Sequence, residues 1–168
     1  MRSNIVLIGM PGSGKSTIGK ILAKNLGYQF LDGDIAIEEK ENAPLQEVLE
    51  TLGVAGFLEK EADVLCAIEA AYTVIAPGGS AALSARAMAH LKQLGTCIYL
   101  DVPLEELERR VQNQGSRGIA AGADETLESI YTYRKPFYER AADLTYHFSE
   151  GSLDEAAKEI EALYFRKD

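Results

Sequence analysis

The residues that most constrain this chain are Gly9 to Ser16, GMPGSGKS. They fit the pattern G-x-x-x-x-G-K-[ST] in full. Before them stands NIVLI, a continuous apolar run that reads as a buried parallel strand. After them stands KSTIGKILAKNLG, with Ile18, Ile21, Leu22 and Leu26 at helical spacing and Gly27 as the stop. A strand, a glycine-rich turn and a helix in that order make a phosphate cradle. The glycines let successive N–H groups point inward, and the helix N-terminus adds its dipole. Lys15 is placed to reach the β- and γ-phosphates, and Ser16 to hold Mg²⁺. The nucleotide-binding set on this stretch is Gly12, Ser13, Gly14, Lys15, Ser16 and Thr17. No N-K-x-D element for guanine occurs, so the expected nucleotide is ATP.

Downstream of the loop, strand and helix signals alternate. YQFLDGD reads as a second strand ending in two aspartates. Helical segments fill roughly 35–70, with Pro44 suited to a first helical turn. YTVIAPGG is a third strand, SARAMAHLKQLG a helix stopped by Gly95, TCIYLDVP a fourth strand and LEELERRVQ a helix. NQGSRGIAAGADE is small, polar and glycine-rich, and reads as a loop. The next helix contains Pro136, which is expected to kink or break it. LTYHF is a last strand, and SLDEAAKEIEALYF a capped helix. The alternation implies an α/β fold with a parallel sheet and right-handed crossovers.

Candidate acceptor residues sit where strands end, the usual place for ligands in an open α/β sheet. Asp32 and Asp34 close the second strand. One suits the water shell of Mg²⁺, and the other suits accepting a proton from an attacking hydroxyl. Gly78 and Gly79 close the third strand and permit close backbone approach. Arg110, Arg117 and Arg134 complete the set, Arg117 within the glycine-rich loop. In AGFLEKEADVL, Phe57, Leu58, Ala62 and Leu65 form an apolar face, with Glu59, Lys60, Glu61 and Asp63 between them.

Taken together, GMPGSGKST, LDGD, GF with Glu61 four residues after Phe57, the glycine pair, Arg110, Arg117 and RKPFYERAAD resemble the shikimate kinase family in order and spacing. The resemblance spans nearly the whole chain. It implies a nucleoside-monophosphate-kinase-like fold, with a five-stranded parallel sheet flanked by helices in one domain over 1–168. It also implies an acceptor-binding helical region near 35–62 and a lid near 112–124. By the same resemblance Asp34 orients the acceptor hydroxyl, Asp32 acts near Mg²⁺, Arg110 and Arg117 near the nucleotide, and Arg134 on the acceptor's carboxylate. The expected catalytic residues are Lys15, Asp34 and Arg117. The expected acceptor wall is Asp34, Leu58, Gly78, Gly79, Ser80 and Arg134.

Three positions depart from the family pattern. Leu58 stands where the family has the second arginine of the carboxylate clamp. Ser80 replaces a third glycine, and Gly118 a proline. One charge-assisted arm is worth roughly 1.5–3 kcal/mol, or about one to two decades of affinity. Lys60 lies about 200° round the helix from Leu58 and is poorly placed to substitute. The departures at Leu58 and Ser80 lie on the acceptor side. They leave two acceptors open: shikimate by resemblance, or another small hydroxy acid such as homoserine. A non-catalytic nucleotide-binding module and a nucleoside-monophosphate kinase are the other readings, the last disfavoured because 35–65 contains no arginine.

The net charge of −9 over 168 residues argues against a nucleic-acid or anionic-membrane surface. No apolar run approaches a membrane span. Cys66 and Cys97 read as buried free thiols, in keeping with a cytoplasmic protein. The expectation is a monomer acting on a small molecule.

Overall fold

The apolar run that precedes the phosphate loop is β1 (Asn4–Ile8), buried along its whole length. The computed structural model describes residues 3–114 and 121–166. β1 lies at the centre of a parallel sheet, between β3 (Thr73–Ala76) and β4 (Gly95–Asp101). Outside β3 lies β2 (Gln29–Asp32), and outside β4 lies β5 (Leu144–His147), giving the order β2-β3-β1-β4-β5. Every neighbouring pair is parallel. Continuous apolar strands of this kind need cover on both faces.

The cover comes from α1 (Lys15–Leu26), α2 (Gly33–Glu41), α3 (Leu45–Cys66), α4 (Ala85–Leu94), α5 (Leu104–Gln114), α6 (Leu127–Ala141) and α7 (Leu153–Phe165). The expected α/β architecture of a five-stranded parallel sheet flanked by helices is the one observed among the described residues. The main core gathers Ile5, Leu7, Ile75, Leu91, Ile98 and Ile160 with their neighbours. A second, smaller core of Ile37, Val48 and Phe57 joins α2 to α3.

Several local expectations are corrected. Pro44 caps α3 from the position just before Leu45 instead of lying in its first turn. α3 is interrupted at Gly53, whose φ of 69° lies in the left-handed region that glycine tolerates. α6 runs on through the exposed Pro136. Gly95 does stop α4 as expected, with an extended φ of −157°, and it opens β4. Glycine is needed there because a Cβ would collide with the Asn4 carbonyl of the adjacent strand. Gly27 does close α1 as expected, at φ 68°. Cys97 is buried, but Cys66 is only half-buried. No helix among the described residues is long and apolar enough to cross a membrane.

Asn4 ties the amino end of the sheet together. It is 1% exposed, and its amide donates to the carbonyls of Ala70 and Leu94 at 2.7 and 2.9 Å. Its carbonyl oxygen accepts from the Thr73 N–H at 2.9 Å. Asn4→Ala leaves those three backbone groups without this partner. It is expected to lower unfolding free energy by about 2–3 kcal/mol, read from urea denaturation. A loss within about 0.5 kcal/mol contradicts this role for the amide.

Candidate active site

The carboxyl ends of β1, β2 and β3 lie side by side, and each releases a loop that carries chemistry. After β1 the loop turns through Gly12 (φ 81°) and Gly14 (φ 94°), conformations that favour glycine, before α1 begins at Lys15. The Lys15 ammonium folds back onto this loop, donating to the Gly9 and Met10 carbonyls at 2.8 and 2.7 Å. Ser13 is buried and lies 3.4 Å from the Lys15 Nζ through its hydroxyl. Burial lowers the Lys15 pKa to about 8.

After β2, Asp32 has two roles at once. One carboxylate oxygen caps α2, accepting from the Asp34 and Ile35 N–H groups at 2.9 and 3.3 Å. The other accepts from the Ser16 hydroxyl at 2.9 Å. Helix capping and a shared oxygen site with Ser16 are therefore compatible in one side chain. Asp34 lies in the first turn of α2 and lines the same cavity as Ser16 and Asp32. Burial, then the neighbouring Asp32 charge, raise its carboxyl to about 6.

After β3, the backbone of Pro77–Ser80 passes very close to the other two loops. A Cβ on Gly79 would lie 2.7 Å from the Pro11 ring, and one on Gly33 would lie 2.9 Å from the Pro77 Cα. A Cβ on Gly78 would fall 2.6 Å from Glu61 Oε2 and 2.7 Å from Asp34 Oδ1. The glycines thus admit the protein's own neighbours as well as facing the cavity. From α6, the Tyr138 hydroxyl donates to the Gly79 carbonyl, and its ring stacks on Tyr99 with centroids 5.2 Å apart.

These loops enclose one cavity of about 270 Å³. Gly12, Gly14, Lys15, Ser16, Thr17 and Arg110 line its phosphate end. Asp32, Asp34, Gly78, Gly79, Ser80 and Arg134 line the rest. Arg134 is 3% exposed, so its guanidinium belongs to the wall and not to the outer surface. Arg110 donates to the Gly12 carbonyl at 3.1 Å and stacks over Phe148. Arg117, and the Gly118 beside it, lie outside the described residues, as does the rest of 115–120 in the expected lid at 112–124.

Leu58 is the expected wall residue that the structure places elsewhere. It is absent from the cavity lining and packs with Ile37, Val48 and Phe57 in the α2–α3 core. Its side chain is half-buried against the apolar residues of that core. Lys60 is also directed away, pairing with Glu41 at 3.1 Å. Sequence reasoning assigned no site role to Phe57, Glu61 or Leu153, yet all three line the cavity. Leu153, at the start of α7, covers Gly14. Glu61 is the most informative of these. It is 2% exposed, and its Oε1 accepts from the Ser80 hydroxyl at 2.6 Å. Burial pushes its carboxyl up to about 7. Its signals in the sequence are its position one helical turn after Phe57 and its place, with that phenylalanine, among the motifs that carry the family resemblance.

The arrangement can do phosphoryl chemistry. An ammonium and a hydroxyl–carboxylate pair stand at one end of a single cavity. A desolvated carboxylate and a buried guanidinium stand at the other.

Comparison with known proteins agrees with this geometry. A family model described as shikimate kinase matches residues 11–164. A shikimate kinase of Synechococcus is 37% identical over 165 residues, which is 96% of this chain and 84% of that relative. One of Clostridium botulinum is 39% identical over 142 residues, 82% of this chain and 84% of that relative. The solved structure of shikimate kinase from Acinetobacter baumannii in complex with shikimate matches with a TM-score of 0.89 at 32% identity, covering 99% of this chain and 94% of that one.

The raised pKa of Glu61 has a stability consequence. The unfolded chain releases this proton near pH 4.5, and the folded protein near pH 7. The group's contribution is fully present below pH 4.5 and is lost as pH rises through about 7. Above that range the folded state carries a penalty on the order of 3 kcal/mol. Glu61→Gln, which stays neutral, is therefore expected to resist urea better than the native chain above pH about 7, with the advantage vanishing below pH about 4.5. An advantage independent of pH contradicts this.

Proposed function

This chain belongs to the shikimate kinase family, and on that footing we propose that it transfers the γ-phosphoryl group of ATP to a hydroxyl of shikimate. The observation that carries the proposal is the single cavity that joins Lys15 to Asp34 and Arg134. A phosphate donor and a hydroxy-acid acceptor can meet in that space. The likeness to a shikimate kinase solved with shikimate bound favours shikimate over homoserine as the acceptor. We take the chain to act as a monomeric, cytoplasmic enzyme in one domain, with 35–62 contributing the acceptor wall.

In this mechanism Asp34 holds the attacking hydroxyl and takes its proton as the new oxygen–phosphorus bond forms. The bond between the γ-phosphorus and its bridging oxygen breaks, and ADP leaves. The elevated pKa of Asp34 suits a carboxylate that must bind a proton during turnover. Lys15 leaves its loop carbonyls to hold the β- and γ-phosphates, and its lowered pKa reflects burial of the ammonium. Arg134 receives the acceptor's carboxylate. Arg110 is assigned to the nucleotide side by position, and Arg117 by family resemblance. The Ser16 hydroxyl and the Asp32 carboxylate fit a hard cation that keeps most of its ligands as water and phosphate oxygen. Mg²⁺ bound there supplies neutralisation of phosphate charge.

Leu58 makes no arm of a carboxylate clamp in this account. Among the described residues the guanidinium groups lining the cavity are those of Arg110 and Arg134. The carboxylate is held from the α6 side.

A coupled assay of ADP release tests the proposal. Turnover is expected with shikimate and not with homoserine. Asp34→Asn is expected to lower kcat roughly 100- to 10,000-fold. Turnover with homoserine and none with shikimate overturns the acceptor assignment. ATP binding without transfer to any acceptor favours the non-catalytic reading.

A further inference from the structure

Glu106, on α5, is outside the cavity lining and has no part in the proposed chemistry. It grips two arginines. Its Oε1 accepts from Arg110 Nε and from Arg109 Nη2, both at 2.7 Å, and its Oε2 accepts from Arg109 Nε at 2.9 Å. The i,i+3 and i,i+4 spacings bring the three side chains together on the helix. These bonds, those from Arg109 foremost, hold the Glu106 carboxyl down at about 2, so it is ionised throughout the neutral range.

Arg110 is fixed in three ways. Glu106 takes its Nε, the Gly12 carbonyl takes its Nη1 at 3.1 Å, and its Cζ lies 4.8 Å from the centre of the Phe148 ring. A guanidinium is planar and rigid, so fixing Nε also fixes where the two terminal nitrogens point. Gly12 stands in the turn of the phosphate loop, at φ 81°. The next residue on α5 meets the same glycine, since a Cβ on Gly12 would lie 3.4 Å from Val111 Cγ2. α5 therefore reaches the turn of the phosphate loop twice, once by a charge-assisted hydrogen bond and once by an apolar side chain.

We propose that α5 braces the phosphate loop, with Glu106 as the positioning residue that aims Arg110 at the Gly12 carbonyl. The inference rests on the nucleotide reading given above and deepens it. The brace acts on the shape of the loop, and so on any ligand that the loop holds by its phosphates, whatever base it carries. Loop N–H groups held in one arrangement before the ligand arrives lower the ordering cost of binding. Arg109 shares the carboxylate but is exposed, and removing it leaves the bond between Glu106 and Arg110 in place.

Calorimetry on the whole chain, with ADP and with tripolyphosphate, which has no base, tests this. Glu106→Ala is expected to weaken both ligands alike, by about three- to tenfold. Glu106→Gln keeps an acceptor oxygen and is expected to recover part of that loss. Arg109→Ala is expected to bind both ligands within about twofold of the native chain. In an Arg110→Ala background, Glu106→Ala is expected to add less than about twofold, because the two side chains act in series. In the coupled assay, KM for ATP rises by the factor seen with ADP, and KM for shikimate is unchanged. A loss confined to ADP overturns the inference, since Glu106 then acts on the base side. So do equal losses from Glu106→Ala with and without Arg110, and an Arg109→Ala loss that matches that of Glu106→Ala, which marks a merely structural role in α5. A native chain that holds ADP but not tripolyphosphate overturns it as well. A native chain that binds neither ligand removes the kinase reading and this inference together. The expected binding pattern without shikimate turnover removes the acceptor assignment and leaves the brace supported.

Discussion

Three strand ends are brought within van der Waals contact of one another because three glycines have no side chain to keep them apart. Gly79 admits the Pro11 ring, Gly33 admits the Pro77 backbone, and Gly78 lies beneath the carboxylates of Glu61 and Asp34. The Tyr138 hydroxyl secures the Gly79 carbonyl from α6. This contact turns three separate loops into one cavity wall. Were the β3 loop held further away, the phosphate loop and Asp34 would face separate spaces, and no group transfer between them would be possible.

The same closeness sets the electrostatics. Asp34 and Glu61 are desolvated together and both bind protons more tightly than free carboxyls. Lys15 is desolvated with them and holds its proton less tightly. Arg134 is buried in their midst. These charges offset one another in a chain whose overall balance is strongly acidic. Local placement, not net charge, lets an acidic protein receive two anionic ligands.

The phosphate loop was legible in the sequence because its residues are contiguous and its flanking periodicities change from strand to helix at its edges. The order of strands and helices was legible for the same reason. Asp32 was harder, since a helix cap and a metal-side carboxylate leave the same trace in sequence, and here one side chain caps α2 while its other oxygen accepts from the Ser16 hydroxyl. The acceptor wall was the least legible part. On α3, Glu61 sits among Glu59, Lys60 and Asp63 and looks like one more solvated charge, yet it is buried and they are not. Leu58 looked like a wall residue because a family pattern places an arginine there, but the second core between α2 and α3 claims it. Which face of α3 meets which neighbour depends on the break at Gly53 and on packing against α2, and neither is written in the local pattern.

The central claim is that Asp34 and Arg134 hold the two ends of one acceptor beside the phosphate loop. A crystal structure of the chain with ADP and shikimate tests it most directly. The account predicts a shikimate hydroxyl within hydrogen-bond distance of Asp34 and its carboxylate on the Arg134 guanidinium, with no contact to Leu58. Shikimate bound with its carboxylate against the α2–α3 core, or with no hydroxyl near Asp34, would contradict it.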